Sequence, residues 1–323
     1  MARADKARKR RALRIFFATD VHGSERCFRK FLAAAKVYEA DALVLGGDIA
    51  GKGLVPIIHR DGQLTAEVRG ESVAVAADEE ERLNDEINRL GFYPVRMDPD
   101  DVAELEAEPD RLDRLFREEI VAQVERWCEL ASERLAPEVR CIITPGNDDP
   151  LEIDPVLRGA DRVECPEREL CELGPVMLAS IGDVTPTPWK TEREYAEEEL
   201  GERIAAIMDQ LGPGQPSVVN FHCPPYSSGL DTAPELDETL KPVIRGGRPS
   251  FIPVGSRAVR DAINRYEPVV GLHGHIHESR GAQKIGKTLC LNPGSDYTAD
   301  LLRGAVVDIA RDGSYLDFLL TAG

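Results

Sequence analysis

Apolar residues along this chain gather in short runs, and run after run stops at a polar residue. "LRIFFATD", Leu13 to Asp20, has the pattern of a buried strand whose carboxyl end carries Asp20. After "VHG" the period changes: "SERCFRKFLAAAKVYEA" places Phe28, Phe31, Leu32 and Ala35 at helical spacing, with Ser24 as N-cap. "ALVLGGD" is a second buried strand and again ends in a carboxylate, Asp48. Strand, helix and strand in this order form a βαβ unit. Its crossover is nearly always right-handed, and the loops at the carboxyl ends of its strands are the usual place for ligands.

Between Leu54 and Glu138 the pattern differs. "VPIIHRDGQLTAEVRG" predicts a hairpin about Asp61-Gly62, followed by charged helical stretches at about Asp78 to Leu90 and Pro99 to Ala136. In the second, Leu112, Leu115, Phe116, Val124, Trp127, Cys128 and Leu135 recur at a helical period. The expectation is an inserted cap, about residues 54–138, on a domain spanning 13–323. From Val139 the strands return in "VRCIITPGND", "PVMLASIGD", "SVVNFHCPP", "PVVGLHGHIH", "KTLCLNPGS", "GAVVDIA" and "YLDFLL". Helices intervene at about Thr191 to Leu211 and Ser256 to Tyr266.

At 323 residues the chain can bury a substantial core without a disulfide scaffold. Its seven cysteines form no CxxC pair and sit mostly in apolar surroundings, the pattern of reduced thiols in the cytoplasm. Residues 1–12 form a basic arm, and no apolar run long enough for a signal peptide or membrane span follows it. Short charged termini are commonly solvated ends. The net charge is −18, and residues 60–138 alone hold 23 acidic against 10 basic residues. Such a field opposes the counterion-release binding on which general nucleic-acid binders rely. The cap's apolar stripe is placed either to cover a site or to join two copies into a homo-oligomer.

Charge on this scale changes meaning once the histidines are placed. Five of the six sit in strand-end contexts: His22, His222, and the alternating His273, His275 and His277 of "HGHIH". Asp20, His22, Asp48, Asn147, His222, His275 and His277 each fall at or just past the end of an apolar strand, so a parallel-rich sheet would bring all seven to one rim. Carboxylate, imidazole and amide oxygen without thiolate suit ions of intermediate hardness. Seven such groups exceed one tetrahedral site and match two metals sharing a bridging carboxylate. Asp-x-His in an extended turn would direct both side chains to one face, as would His275 and His277. Gly23, Gly46, Gly47, Gly146 and Gly274 flank the set.

These motifs, in this order, resemble the calcineurin-like metallophosphoesterase superfamily: "DVH" at Asp20 to His22, "GGD" ending in Asp48, "GND" through Asn147, "FHCPP" at His222 and "GHIH" at Gly274 to His277. The resemblance covers roughly Leu13 to Gly53 and Val139 to Ser295, with "NPGSDY" also similar. It implies an α/β fold, a four-layer α/β/β/α sandwich of two mixed sheets, here carrying the inserted hairpin-plus-helices cap. It also implies two divalent transition metals, Mn favoured over Fe, Zn or Ni. By motif position Asp20, His22 and His277 would hold one metal, Asn147, His222 and His275 the other, and Asp48 would bridge them. A metal-bridging hydroxide would then attack phosphorus in line. His273 lies one step early for the motif; alternation would aim it at the same face, as a candidate catalytic residue contacting a metal ligand or the substrate, with a packed strand residue as the alternative.

One residue departs from the pattern. Family members that dephosphorylate proteins carry histidine after the asparagine, whereas this chain has Asp148, an acid of ordinary pKa about 4. As a candidate catalytic residue Asp148 is a tuned acid, a partner to a metal-bound water or histidine, or a substrate-selecting group. Its presence points away from protein phosphatase activity and toward a phosphodiesterase acting on a small or nucleotide-like phosphate ester. A scaffold on the same fold and a nuclease are the alternatives; the complete ligand set argues against the first and the acidic charge against the second.

Overall fold

The computed structural model describes residues 11–60 and 62–323. Most of the basic arm, through residue 10, and Asp61 of the predicted hairpin turn lie outside the described residues. In chain order the strands are β1 (Arg11–Ala18), β2 (Ala42–Gly46), β3 (Gly53–Arg60), β4 (Gln63–Val68), β5 (Glu71–Ala76), β6 (Phe92–Met97), β7 (Arg140–Thr144), β8 (Leu170–Leu173), β9 (Val176–Ile181) and β10 (Ser217–Phe221). Four short strands follow, β11 (Thr232–Pro234), β12 (Ile244–Arg245), β13 (Arg248–Pro249) and β14 (Phe251–Pro253), and then β15 (Val270–Leu272), β16 (Gly281–Ile285), β17 (Thr288–Asn292), β18 (Arg303–Ala310) and β19 (Tyr315–Ala322).

Two mixed sheets dominate. The first runs β19-β18-β1-β2-β7, with β1, β2 and β7 parallel and the last two strands antiparallel. The second runs β16-β17-β15-β10-β9-β8, with β9, β10, β15 and β17 parallel. Period-two alternation divides the apolar side chains of β1: Leu13, Ile15 and Phe17 meet Leu178, Val218, Leu272 and Leu291 of the second sheet in one buried cluster. Phe16 and Ala18 turn the other way, onto Phe28, Phe31 and Leu32 of the helix Glu25–Val37. Ser24 caps that helix as predicted, accepting from the Cys27 backbone N–H. On the far face of the second sheet, Ala179, Val219 and Phe221 pack against the helices Glu197–Met208 and Arg257–Tyr266. Every strand predicted after Val139 is present.

The stretch 54–138 is of two kinds. The predicted hairpin is part of a four-stranded sheet, β5-β4-β3-β6, which buries its own small core with Leu83 and Ile87 of the helix Glu80–Arg89. The predicted second helix is two helices, Pro99–Ala107 and Pro109–Arg134, because Pro109 lacks an N–H and restricts Glu108, which sits at φ −122°, ψ 77°. The longer helix joins the main core. Trp127 is 2% exposed and stacks on Phe28 with ring centroids 4.2 Å apart, and Val124 and Ala131 are buried with it. Its apolar stripe is thus largely a core face, although Leu112 at its start is exposed. All seven cysteines are free thiols, and no helix among the described residues is long and apolar enough to cross a membrane.

Since Trp127 ties that helix to the βαβ unit, Trp127→Ala should destabilise the whole domain by about 3–5 kcal/mol, read as a lowered midpoint in denaturant unfolding. A loss below about 1 kcal/mol would show that the helix is peripheral.

Candidate metal centre

Five of the parallel strands of the two sheets each deliver a loop to one cluster. Asp20 and His22 follow β1, Asp48 follows β2, Asn147 follows β7, His222 follows β10, and His275 and His277 follow β15. Extended alternation is not what aims them. Asp20, His22, Asp48 and His275 all have left-handed backbones, at φ 55°, 42°, 51° and 64°. Each costs a residue with a Cβ about 1 kcal/mol or more. Hydrogen bonds between the loops hold these turns: Asp20 N to Gly47 O at 2.9 Å, His22 N to Asp48 O at 3.0 Å, and Gly274 N to His222 O at 2.9 Å. The Asp20 carboxylate accepts from His275 N at 3.0 Å, so one side chain shapes the turn that carries another. At Gly146 the need is space, since a Cβ there would collide with Asp48.

The donor atoms form two groups that share one member. Asp20, His22, Asp48 and His277 offer atoms within 4.8 Å of one another, and so do Asp48, His222 and His275. His22 Nε2 lies 3.0 Å from His277 Nε2, His277 Nε2 3.3 Å from Asp20, and His222 Nε2 3.3 Å from Asp48. The Gly46 carbonyl, 3.0 Å from His222 Nδ1, fixes that ring and turns its Nε2 toward Asp48. Asn147 donates through Nδ2 to Asp148 and Thr191, at 3.0 and 3.1 Å, while its Oδ1 is buried and unpaired. A buried amide oxygen without a donor, beside buried carboxylates and imidazoles, fits a divalent metal centre, and Asp48 is the member common to both groups.

His273 is not brought into either group. Its backbone N–H bonds to Leu291 O, its ring meets the Phe221 carbonyl at 2.8 Å, and the ring lies against Gly271 and Cys290. The left-handed turn at His275 breaks the alternation that would have aligned the three histidines. Asp148 is at the rim: its backbone N–H bonds to Asp48 at 3.0 Å, and its carboxylate lies 3.9 Å from His22 Nδ1 and in contact with Lys52 Nζ.

Burial opposes charge throughout the cluster, and the pairings decide where it is overruled. It would raise Asp20, but His277 and His222 outweigh it and hold the carboxyl at about 2. Asp48 is likewise held well below the ordinary range, by His222. Burial would lower His222, yet Asp48 lifts it to about 10, and Asp20 lifts His277 in the same way. His22 falls well below its ordinary value through burial and the Lys52 charge, and His275 falls to about 4 through burial and His222. Two imidazoles thus hold protons against the carboxylates, and two stay neutral.

Residues without a recognisable motif brace the loops from behind. Asp149, raised by burial and Asp48 to about 7, accepts from Ile49, Ala50 and Gly146, at 3.0, 2.7 and 2.7 Å, and so locks the Asn147 loop to the Asp48 loop. Tyr93 accepts from Gly51 N and donates to Gln123, both at 2.8 Å, and Gln123 donates to Gly23 O at 2.9 Å. The Tyr297 ring stands 4.9 Å from the ring of His22. Asp149 was visible as the second carboxylate of "GNDDP"; for Tyr93, Gln123 and Lys52 no local pattern marks them.

The strand ends that carry the metallophosphoesterase-like motifs of the sequence are those that build the cluster, and the fold is shared with solved structures. No family model matches the chain. The uncharacterized protein MJ1162 of Methanocaldococcus jannaschii is 29% identical over 188 residues, covering 57% of this chain and 76% of that one. The crystal structure of TT1561 of Thermus thermophilus superposes with a TM-score of 0.53 at 14% identity, over 97% of this chain and 98% of that one. Another crystal structure reaches 0.58 at 15% identity over 96% and 98%. At these identities the structural likeness is one of fold.

Cation binding must displace the protons on His222 and His277, both raised above the ordinary imidazole range. Affinity for Mn²⁺ should therefore rise as pH rises through neutrality, by up to about tenfold per pH unit for each proton released. Calorimetry at pH 7 in buffers of different protonation heat should count one or two protons released per binding event. A count of zero would contradict the assignment.

Proposed function

We propose that this protein is a metal-dependent phosphoesterase, a hydrolase that binds two divalent transition metals, Mn²⁺ favoured, and acts on a small or nucleotide-like phosphodiester. The observation that carries the reading is Asp48: it belongs to both donor groups, at the meeting of loops from both sheets. The order helix, sheet, sheet, helix given by the three main apolar clusters supports the four-layer sandwich. Asp20, His22 and His277 would hold one cation, Asn147, His222 and His275 the other, and Asp48 both.

When bound, the cation pair would supply an activated water and Lewis acidity toward the phosphoryl oxygens. The chain's own part is positional. Gly46 holds His222 through Nδ1, Asp20 holds the His275 turn, and Asp149 holds the Asn147 loop, so the donors need not reorganise as charge develops on phosphorus. The mouth is more open than the floor: the His277 side chain is 31% exposed and that of Asp48 4%. A compact phosphate group reaches such a centre from outside while the carboxylates stay shielded. The free thiols and the absence of a membrane-crossing helix among the described residues are consistent with the cytoplasmic setting we infer.

The purified chain reconstituted with Mn²⁺ should bind close to two ions and hydrolyse phosphodiester model substrates. Asp48→Asn should lower activity by more than about 100-fold while far-ultraviolet circular dichroism stays native, because both cations lose a charged ligand. Stoichiometry near zero in the parent chain, or retained activity in Asp48→Asn, would overturn the dinuclear assignment.

A further inference from the structure

At the rim of the centre, where the protein phosphatases of this fold would carry a histidine, stands an ion pair. The Lys52 ammonium touches Asp148 Oδ2, and Asp148 is held in turn by Asn147 Nδ2 on its Oδ1 at 3.0 Å and through its backbone N–H by Asp48 at 3.0 Å. Both side chains reach solvent, 35% exposed for Lys52 and 22% for Asp148, over a floor where His22 is fully buried. The Lys52 backbone is fixed as well, donating to Gly91 O. The pair therefore lies on the solvent-facing side of the cluster, beside His22 and Asp48.

Resting on the phosphoesterase reading above, we infer that the Lys52–Asp148 pair selects phosphodiesters over phosphomonoesters by fixing the charge beside the phosphoryl group. Lys52 offers a donor to a non-bridging phosphoryl oxygen, and Asp148 both orients that donor and cancels its charge. A phosphodiester carries one negative charge and a phosphomonoester at neutral pH nearly two, since its second proton leaves at about pH 6. A rim of zero net charge gives the second negative charge no compensation, so the dianion loses the advantage that a free ammonium would give it. A carboxylate left unpaired would repel the dianion further. Lys52 is thus a substrate-binding residue and Asp148 the residue that positions it, and substrate charge is what the pair reads.

The rim charge can be stepped one unit at a time. Asp148→Asn leaves it at plus one, Lys52→Met at minus one, and the double variant returns it to zero. Each Mn²⁺-loaded protein is assayed with p-nitrophenyl phosphate and bis(p-nitrophenyl) phosphate, and the affinities of inorganic phosphate and dimethyl phosphate are measured by calorimetry at about pH 8, where the monoester is fully ionised. Asp148→Asn should raise the monoester-to-diester ratio of kcat/KM about tenfold and tighten inorganic phosphate over dimethyl phosphate. Lys52→Met should shift both quantities the opposite way, and the double variant should return near the parent. The same ratio in all four proteins, or a double variant that keeps the Asp148→Asn value, overturns the inference. If the parent hydrolyses neither ester the phosphoesterase reading falls, and the calorimetric ratios still decide the role of the pair.

Discussion

Two carboxylates out of water, Asp20 and Asp48, are the constraint around which this fold is arranged. Burying such groups unpaired would cost several kcal/mol each. The molecule surrounds them with four imidazoles, and the proton distribution follows: His222 and His277 take charge from the acids, while His22 and His275 do not. Protons compensate only part of what the geometry provides for, because the buried amide oxygen of Asn147 remains without a donor. Divalent cations satisfy carboxylates and lone pairs together. A cluster assembled for protons alone would have no use for a buried amide oxygen left without a donor beside it.

Holding that arrangement takes backbone strain and a surrounding that over-determines it. Four donors sit on left-handed turns, and hydrogen bonds from neighbouring loops fix them. The fixing groups are themselves polar and buried: Asp149 with its backbone donors, and Glu167 accepting from Gly182 behind them with its carboxyl raised by burial to about 8. Other left-handed residues occur in loops elsewhere, but these four carry donor side chains above strands that keep the ordinary period of a buried sheet.

Most elements of the two main sheets were legible because the central strands are buried on both faces and announce themselves as continuous apolar runs, whereas the edge strands β8 and β16 are partly exposed and carry no such run. The donors were legible for a related reason: a polar residue closing such a run sits at a strand end, where parallel strands bring ligands together. What alternation implied for His273 failed because a single left-handed residue, His275, resets the facing of all that follows, and the φ of a histidine is not written in its neighbours. β5, β6 and the helix Ile153–Gly159 lacked a clear period. Lys52, Tyr93 and Gln123 belong to the site only through the tertiary fold.

That last group gives the 54–138 stretch its physical meaning. Its sheet has a core of its own and its long helix belongs to the main core, so the two parts clamp the segment between them. Through that clamp Tyr93 reaches Gly51, Gln123 reaches Gly23, and the Gly91 carbonyl fixes Lys52. Gly23 directly follows the His22 turn, and Gly51 lies three residues past Asp48. Loosening the stretch would therefore release the loops of both parallel strands β1 and β2 at once. A dense negative charge on the outside and a chain of buried hydrogen bonds on the inside are compatible because they occupy different faces: the charge is solvated, and the stretch acts on the centre from behind.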